Sequence, residues 1–213
     1  MEKMTGNECF YYNNSSTGYL LNDFWQWSAS DLLNNTQRGV LAEFIVAKAL
    51  DIETYSPRLD WEPYDLLFRG NLRIEVKASA YVQSWSQTAD SKLRFSIRPT
   101  QVRDGEAGRS EDKIRQSDMY IFCVFAEKDR AHADPMNLDK WEFYPVLTRE
   151  INEMLEAQQT ASMSTILGLH PEAYDYGSLL DAVLWLSSDR LDSHARERIE
   201  EHRAHKRANT GTG

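Results

Sequence analysis

Asp65, Glu75 and Lys77 have the side-chain types and the spacing to hold a hard divalent cation and act on a phosphodiester. Carboxylate oxygens bind Mg2+ or Mn2+. A cation held in this way polarises a phosphodiester oxygen and acidifies a water. A lysine beside it orients that water or offsets charge in the transition state. A plainer reading is a cross-strand carboxylate pair on a solvated face, with Lys77 as its counter-charge. Like charges on adjacent strands repel unless a cation lies between them, which favours the first reading.

Positioning these groups requires a hairpin. From Leu72 to Val82 the sequence alternates: Leu72, Ile74, Val76, Ala78, Ala80 and Val82 share one face, and Arg73, Glu75, Lys77, Ser79 and Tyr81 share the other. The strand before it is predicted over Tyr64–Phe68, with a turn at Gly70-Asn71. A two-residue loop would carry Asp65 to the apolar face. A three-residue loop, Arg69-Gly70-Asn71, pairs Phe68 with Leu72 and Leu66 with Ile74, which keeps the apolar residues together and sets Asp65 opposite Glu75.

Glu43 falls on the apolar stripe of a helix predicted from about Ser30 to Leu50, with Ser28 or Ser30 as its cap. A carboxylate there needs a partner. Either Arg38 at the edge of the stripe supplies it, or Glu43 reaches the Asp65–Glu75 site. Substrate contacts are expected from the same strand face and the next strand: Ser79 and Gln83, then Arg94 and Arg98. Tyr81 and Trp85 can stack on bases.

Further along, a third strand is predicted over Leu93–Arg98, a short helix over Gly108–Gln116 and a strand covered on both faces over Met119–Ala126. A last strand follows over Trp141–Val146, then a helix capped by Thr148 and another over Ser178–Leu186. The order gives an α/β fold, a mixed sheet flanked by helices with helices appended at the C-terminal end. Residues 1–28 are expected to be irregular, 29–187 to form a single domain, and 188–213 to be a charged, partly disordered tail containing His194, His202 and His205.

The trio resembles the PD-(D/E)xK, or restriction-endonuclease-like, nuclease superfamily. The match is Asp65 with Glu75-Val76-Lys77, and Glu43 on a first helix reading Arg38-Gly-Val-Leu-Ala-Glu-Phe-Ile-Val-Ala-Lys-Ala-Leu50. It covers about Asp31–Val146 and looks like stand-alone bacterial members. Tyr64 stands where the motif is named for proline, with Pro63 one place earlier. The resemblance implies an α-β-β-β-α-β core and metal-dependent hydrolysis of nucleic acid, DNA foremost, in repair, restriction or defence. It implies that Asp65, Glu75 and the Val76 carbonyl hold Mg2+ or Mn2+, that Lys77 positions the water, and that Glu43 holds a second metal or the water. The alternative is a nuclease-fold subunit that depends on a partner or serves as a protein-binding module.

Bulk properties bound these expectations. The chain has 213 residues and a net charge of -9, against the positive field usual in non-specific DNA binders. That balance favours a subunit to which a partner protein supplies DNA binding; a homodimer is left open as well. No apolar run approaches a membrane span, and no signal-peptide pattern opens the sequence. Cys9 and Cys123 are far apart, and Cys123 lies in an apolar run, so a buried thiol in a reducing cytoplasm is expected.

Overall fold

The structure, a computed structural model, describes residues 2–58, 62–104, 108–156, 158–169 and 172–188; the side chains of residues 102–112 are not among those described. The expected tail, 188–213, lies outside this set apart from Ser188.

The centre is a four-stranded mixed sheet. Strand β3 (Leu66–Phe68) pairs antiparallel with β4 (Leu72–Ala80), β4 pairs parallel with β8 (Met119–Phe125), and β8 pairs antiparallel with β9 (Trp141–Leu147). Parity along these strands divides the protein into two cores. Leu72, Ile74 and Val76 of β4 and Met119, Ile121 and Cys123 of β8 pack against helix α2 (Asn35–Ala49) and helix α5 (Leu179–Leu186). The opposite parity of β8, namely Tyr120, Phe122 and Val124, packs against α3 (Thr148–Met154), α4 (Met163–Leu169) and a small sheet of β5 (Arg94–Ser96) with β10 (Thr160–Ser162). An α/β fold with a mixed sheet flanked by helices is therefore what the chain adopts. Among the described residues, no helix is long and apolar enough to cross a membrane.

Several local expectations are corrected. Residues 1–28 are not irregular. They contain a hairpin of β1 (Cys9–Tyr12) and β2 (Ser15–Leu20), then helix α1 (Leu21–Ala29). Asn13 and Asn14, both with positive φ, make the two-residue turn that matches strand twist. The helix carrying Glu43 accordingly starts later, at Asn35, where the Asn34 side chain accepts the Thr36 N–H.

The third strand, β5, pairs with β10 outside the central sheet. The helix expected over Gly108–Gln116 is instead strand β7 (Gly108–Ile114), paired with β6 (Thr100–Asp104) in a separate two-stranded ribbon that follows β5 in the chain. Thr148 does not cap α3, because Leu147 holds the capping position and the Thr148 hydroxyl is buried and makes no hydrogen bond among the described residues. Cys123 is a buried free thiol and Cys9 a half-buried one.

Candidate active site at the open edge of β4

The site begins with the β3–β4 turn. Arg69 and Gly70 both take positive φ, and the pairs Phe68 with Leu72 and Leu66 with Ile74 follow from the three-residue loop. Strand β3 begins only at Leu66, so beyond Ile74 the outer edge of β4 continues without it. Asp65 fills the first gap. Its N–H donates to the Ile74 carbonyl at 3.0 Å, and its carboxylate accepts the Val76 N–H at 2.7 Å. The N–H and C=O of one strand residue point the same way, so the Val76 carbonyl also faces this edge.

Glu75 and Lys77 project from the opposite parity of β4, alongside Tyr120 and Phe122 of β8. The Lys77 ammonium donates to the Glu75 carboxylate at 2.5 Å, with both side chains more than two-thirds buried. Burial pushes the Glu75 carboxyl above its usual range, the charge of Asp65 adds to this, and Lys77 offsets part of it. Asp65 and Glu75 line one cleft of about 460 Å3.

Glu43 approaches from α2 with its side chain 13% exposed. Burial raises its carboxyl above the usual range; the bond from Arg58 opposes this and the charge of Asp65 adds to it. Its partner is not Arg38. Arg38 is buried and donates to the Leu33 carbonyl, Asn35 and Gln83. Arg58 grips both oxygens of Glu43, Nη2 reaching Oε1 at 2.8 Å and Nε pairing with Oε2. Sequence reasoning missed Arg58, which lies 15 residues downstream in a segment outside the helices and strands.

The donor set suits a hard cation: two carboxylates and a strand carbonyl, in a place where burial and the charge of Asp65 disfavour the charged form of Glu75. Among the described residues no group of three or more His, Cys, Asp or Glu side chains is gathered closely enough to hold a metal ion.

Of the expected substrate contacts, Arg98 is exposed and lines the cleft with Asp65 and Glu75. Arg94 is exposed on β5. Ser79 is buried, its hydroxyl accepting the Arg94 N–H at 3.4 Å. Gln83 is buried too, its amide donating to the Ala80 carbonyl and its oxygen accepting from Arg38. Cleft residues not singled out from sequence include Glu62, Thr100, Gln101, Gln116 and Tyr120. Burial, and then the charge of Glu75, push the Tyr120 hydroxyl up to about 12, so it stays a protonated donor. Gln116 is held by Thr100 at 2.8 Å. The period-two pattern of β8 already put Tyr120 on a face with Phe122 and Val124; no sequence signal said that this face meets Glu75.

No curated protein and no solved structure matches the chain. The model of one protein family, bacteriophage T4 endonuclease IV, matches residues 11–165, a span that includes α2, the β3–β4 hairpin and the cleft. By that match over most of its length, the chain belongs to the bacteriophage T4 endonuclease IV family, a family of nucleases.

Proposed function

We propose that this protein is a metal-dependent DNA endonuclease of the PD-(D/E)xK kind, with its catalytic centre at the open edge of β4. The observation that carries this reading is the pairing of Asp65 and Glu75 in one cleft, with Lys77 bonded to Glu75. Asp65, Glu75 and the Val76 carbonyl would hold one Mg2+ or Mn2+. When bound there, the cation supplies Lewis acidity towards a phosphodiester oxygen and lowers the pKa of water.

The remaining work falls to the side chains. Lys77 keeps an ammonium beside Glu75, where it orients the attacking water and offsets charge as the phosphorus centre gains negative character. Arg98 at the rim holds a phosphate of the substrate backbone. Tyr120, protonated at any physiological pH, donates a hydrogen bond from the cleft wall. Glu43, gripped by Arg58, adds a third carboxylate within electrostatic reach of Asp65 and Lys77.

The charge of -9 supports a second reading, in which a partner supplies most of the DNA affinity and the chain cuts poorly alone. Both are tested by incubating the purified chain with duplex DNA, single-stranded DNA and RNA in Mg2+, Mn2+ or EDTA. Cleavage that needs metal and vanishes in Asp65→Asn, Glu75→Gln and Lys77→Ala supports the proposal. Cleavage that persists in EDTA, or in any two of these variants, overturns it.

A further inference from the structure

The N-terminal segment is built with care yet contributes to neither core. Glu8 caps its own turn by accepting the N–H groups of Thr5 and Gly6, and those bonds pull its carboxyl down to about 2. Asp23 accepts the Leu20 N–H at the start of α1. The Leu21 N–H donates to the Glu8 carbonyl, locking helix to hairpin, and the Trp25 ring lies close over Gly6. Among the described residues, the members of both cores begin only at Leu33. Helix α1 buries none of its residues, and neither do β1 and β2. A two-stranded ribbon and one short helix are marginal in water unless an apolar face is covered.

What this segment displays is aromatic. Tyr11, Tyr12, Tyr19, Phe24, Trp25 and Trp27 are between 39% and 84% exposed. At the area an aromatic side chain offers, that amounts to roughly 600–900 Å2 per chain. A stable complex buries about 800 Å2 on each partner. Tyr, Trp and Phe are also the residues enriched at the centres of such interfaces.

Charge selects the occupant. Residues 2–31 carry one cation, Lys3, against Glu2, Glu8, Asp23 and Asp31, a balance that repels a phosphate backbone. The exposed aromatic residues are uncharged, and the charges of Glu8 and Asp23 are tied to backbone N–H groups. We propose that residues 2–31 form a dimerisation arm that clasps a second copy of this chain. Neighbouring residues of a strand point to opposite faces, so Tyr11 and Tyr12 lie on opposite sides of the ribbon. The arm is therefore enclosed by the partner, and two arms related by a two-fold axis cover each other's aromatic faces.

Sedimentation and light scattering on the full chain test this. The expected mass at micromolar concentration is twice the 24.7 kDa of one chain, with a melting temperature that rises with protein concentration. Tyr12→Ser combined with Trp27→Ser should give a monomer with an unchanged far-UV spectrum, since both residues are exposed. Tyr55→Ser, an equally exposed aromatic outside the arm, should leave the dimer intact. A parent chain that stays monomeric with a concentration-independent melt overturns the proposal, whatever covers the face instead. A double variant that remains dimeric overturns it as well.

Discussion

The Asp65 carboxylate accepts the Val76 backbone N–H at 2.7 Å, so the first acid of the site is held by the strand that presents the second. Asp65 stands where β3 would otherwise continue, and this separates two roles that substitutions can distinguish. Asp65→Asn keeps an oxygen for the Val76 N–H and should melt within about 0.5 kcal/mol of the parent. Asp65→Ala orphans that N–H and should lose about 1 kcal/mol. Both should abolish cleavage. Thermal melts alongside a plasmid-nicking assay check this, and an active Asp65→Asn enzyme would remove Asp65 from the chemistry.

Lys77→Met removes the ammonium but keeps the apolar stem. Cleavage should fall at least ~100-fold. Glu75 is left mostly buried without its cation, so stability at neutral pH should fall on the order of 1 kcal/mol. At mildly acidic pH, where Glu75 takes up a proton more readily, the loss should be smaller. A variant as stable as the parent at both pH values would show that Lys77 does not compensate Glu75.

The pH dependence of metal binding follows from Glu75 and Glu43, both held above the ordinary carboxylate value of 4.5 by burial first. A carboxyl raised on folding favours the protonated folded state. Its contribution to stability is present below the unfolded pKa and is lost as pH rises through the folded value. Mn2+ must displace those protons, so its apparent affinity should climb with pH across a window beginning near 4.5 and extending above it. Calorimetric titration at several pH values reads the slope, and Glu75→Gln should flatten it. A flat profile in the parent would mean that the cation binds elsewhere.

Glu43 and Arg58 form a pair whose two members should respond in opposite directions. The upward shift at Glu43 says that burial and carboxylate repulsion outweigh Arg58. Glu43→Gln should therefore melt at or slightly above the metal-free parent. Arg58→Ala should melt lower, because it leaves that repulsion without its cation. The double variant should resemble Glu43→Gln, giving a coupling of about 1 kcal/mol. If Glu43→Gln melts lower than the parent, the pair is chiefly a structural tie.

Arg98→Gln tests the rim of the cleft. Removing one phosphate contact should raise KM about tenfold with little change in kcat. It should also shallow the salt dependence of binding by about one unit in log–log slope. An unchanged salt slope would place the substrate backbone off this side of the cleft.

The hairpin could be read from the sequence because one of its faces is buried. Leu72, Ile74 and Val76 must share a core, and that demand alone selects the loop that sets Asp65 beside Glu75. The same logic gave β8 and β9, whose apolar residues face two cores. It failed at β7, where Gly-Arg-Ser-Glu-Asp-Lys-Ile has no apolar face to impose a period, so a ribbon and a helix look alike. The arm failed for a different reason: Asn13-Asn14 does mark a tight turn, but the strands on either side bury nothing. Arg58 lay beyond reach altogether, since a tertiary ion pair between a loop and a helix leaves no local pattern.

All seven residues of β8, Met119–Phe125, are buried, with strands along both edges and an apolar layer on either side. Its amide protons should exchange with solvent only when the whole chain opens, and the two layers should come apart in one step. A lesion far from the cleft, such as Ile166→Ala on the buried face of α4, would then reach Asp65 and Glu75 by lowering the fraction of molecules in which β4 has a neighbour at all. Loss of activity from such a lesion would track the folded population and leave the chemistry of each folded molecule intact.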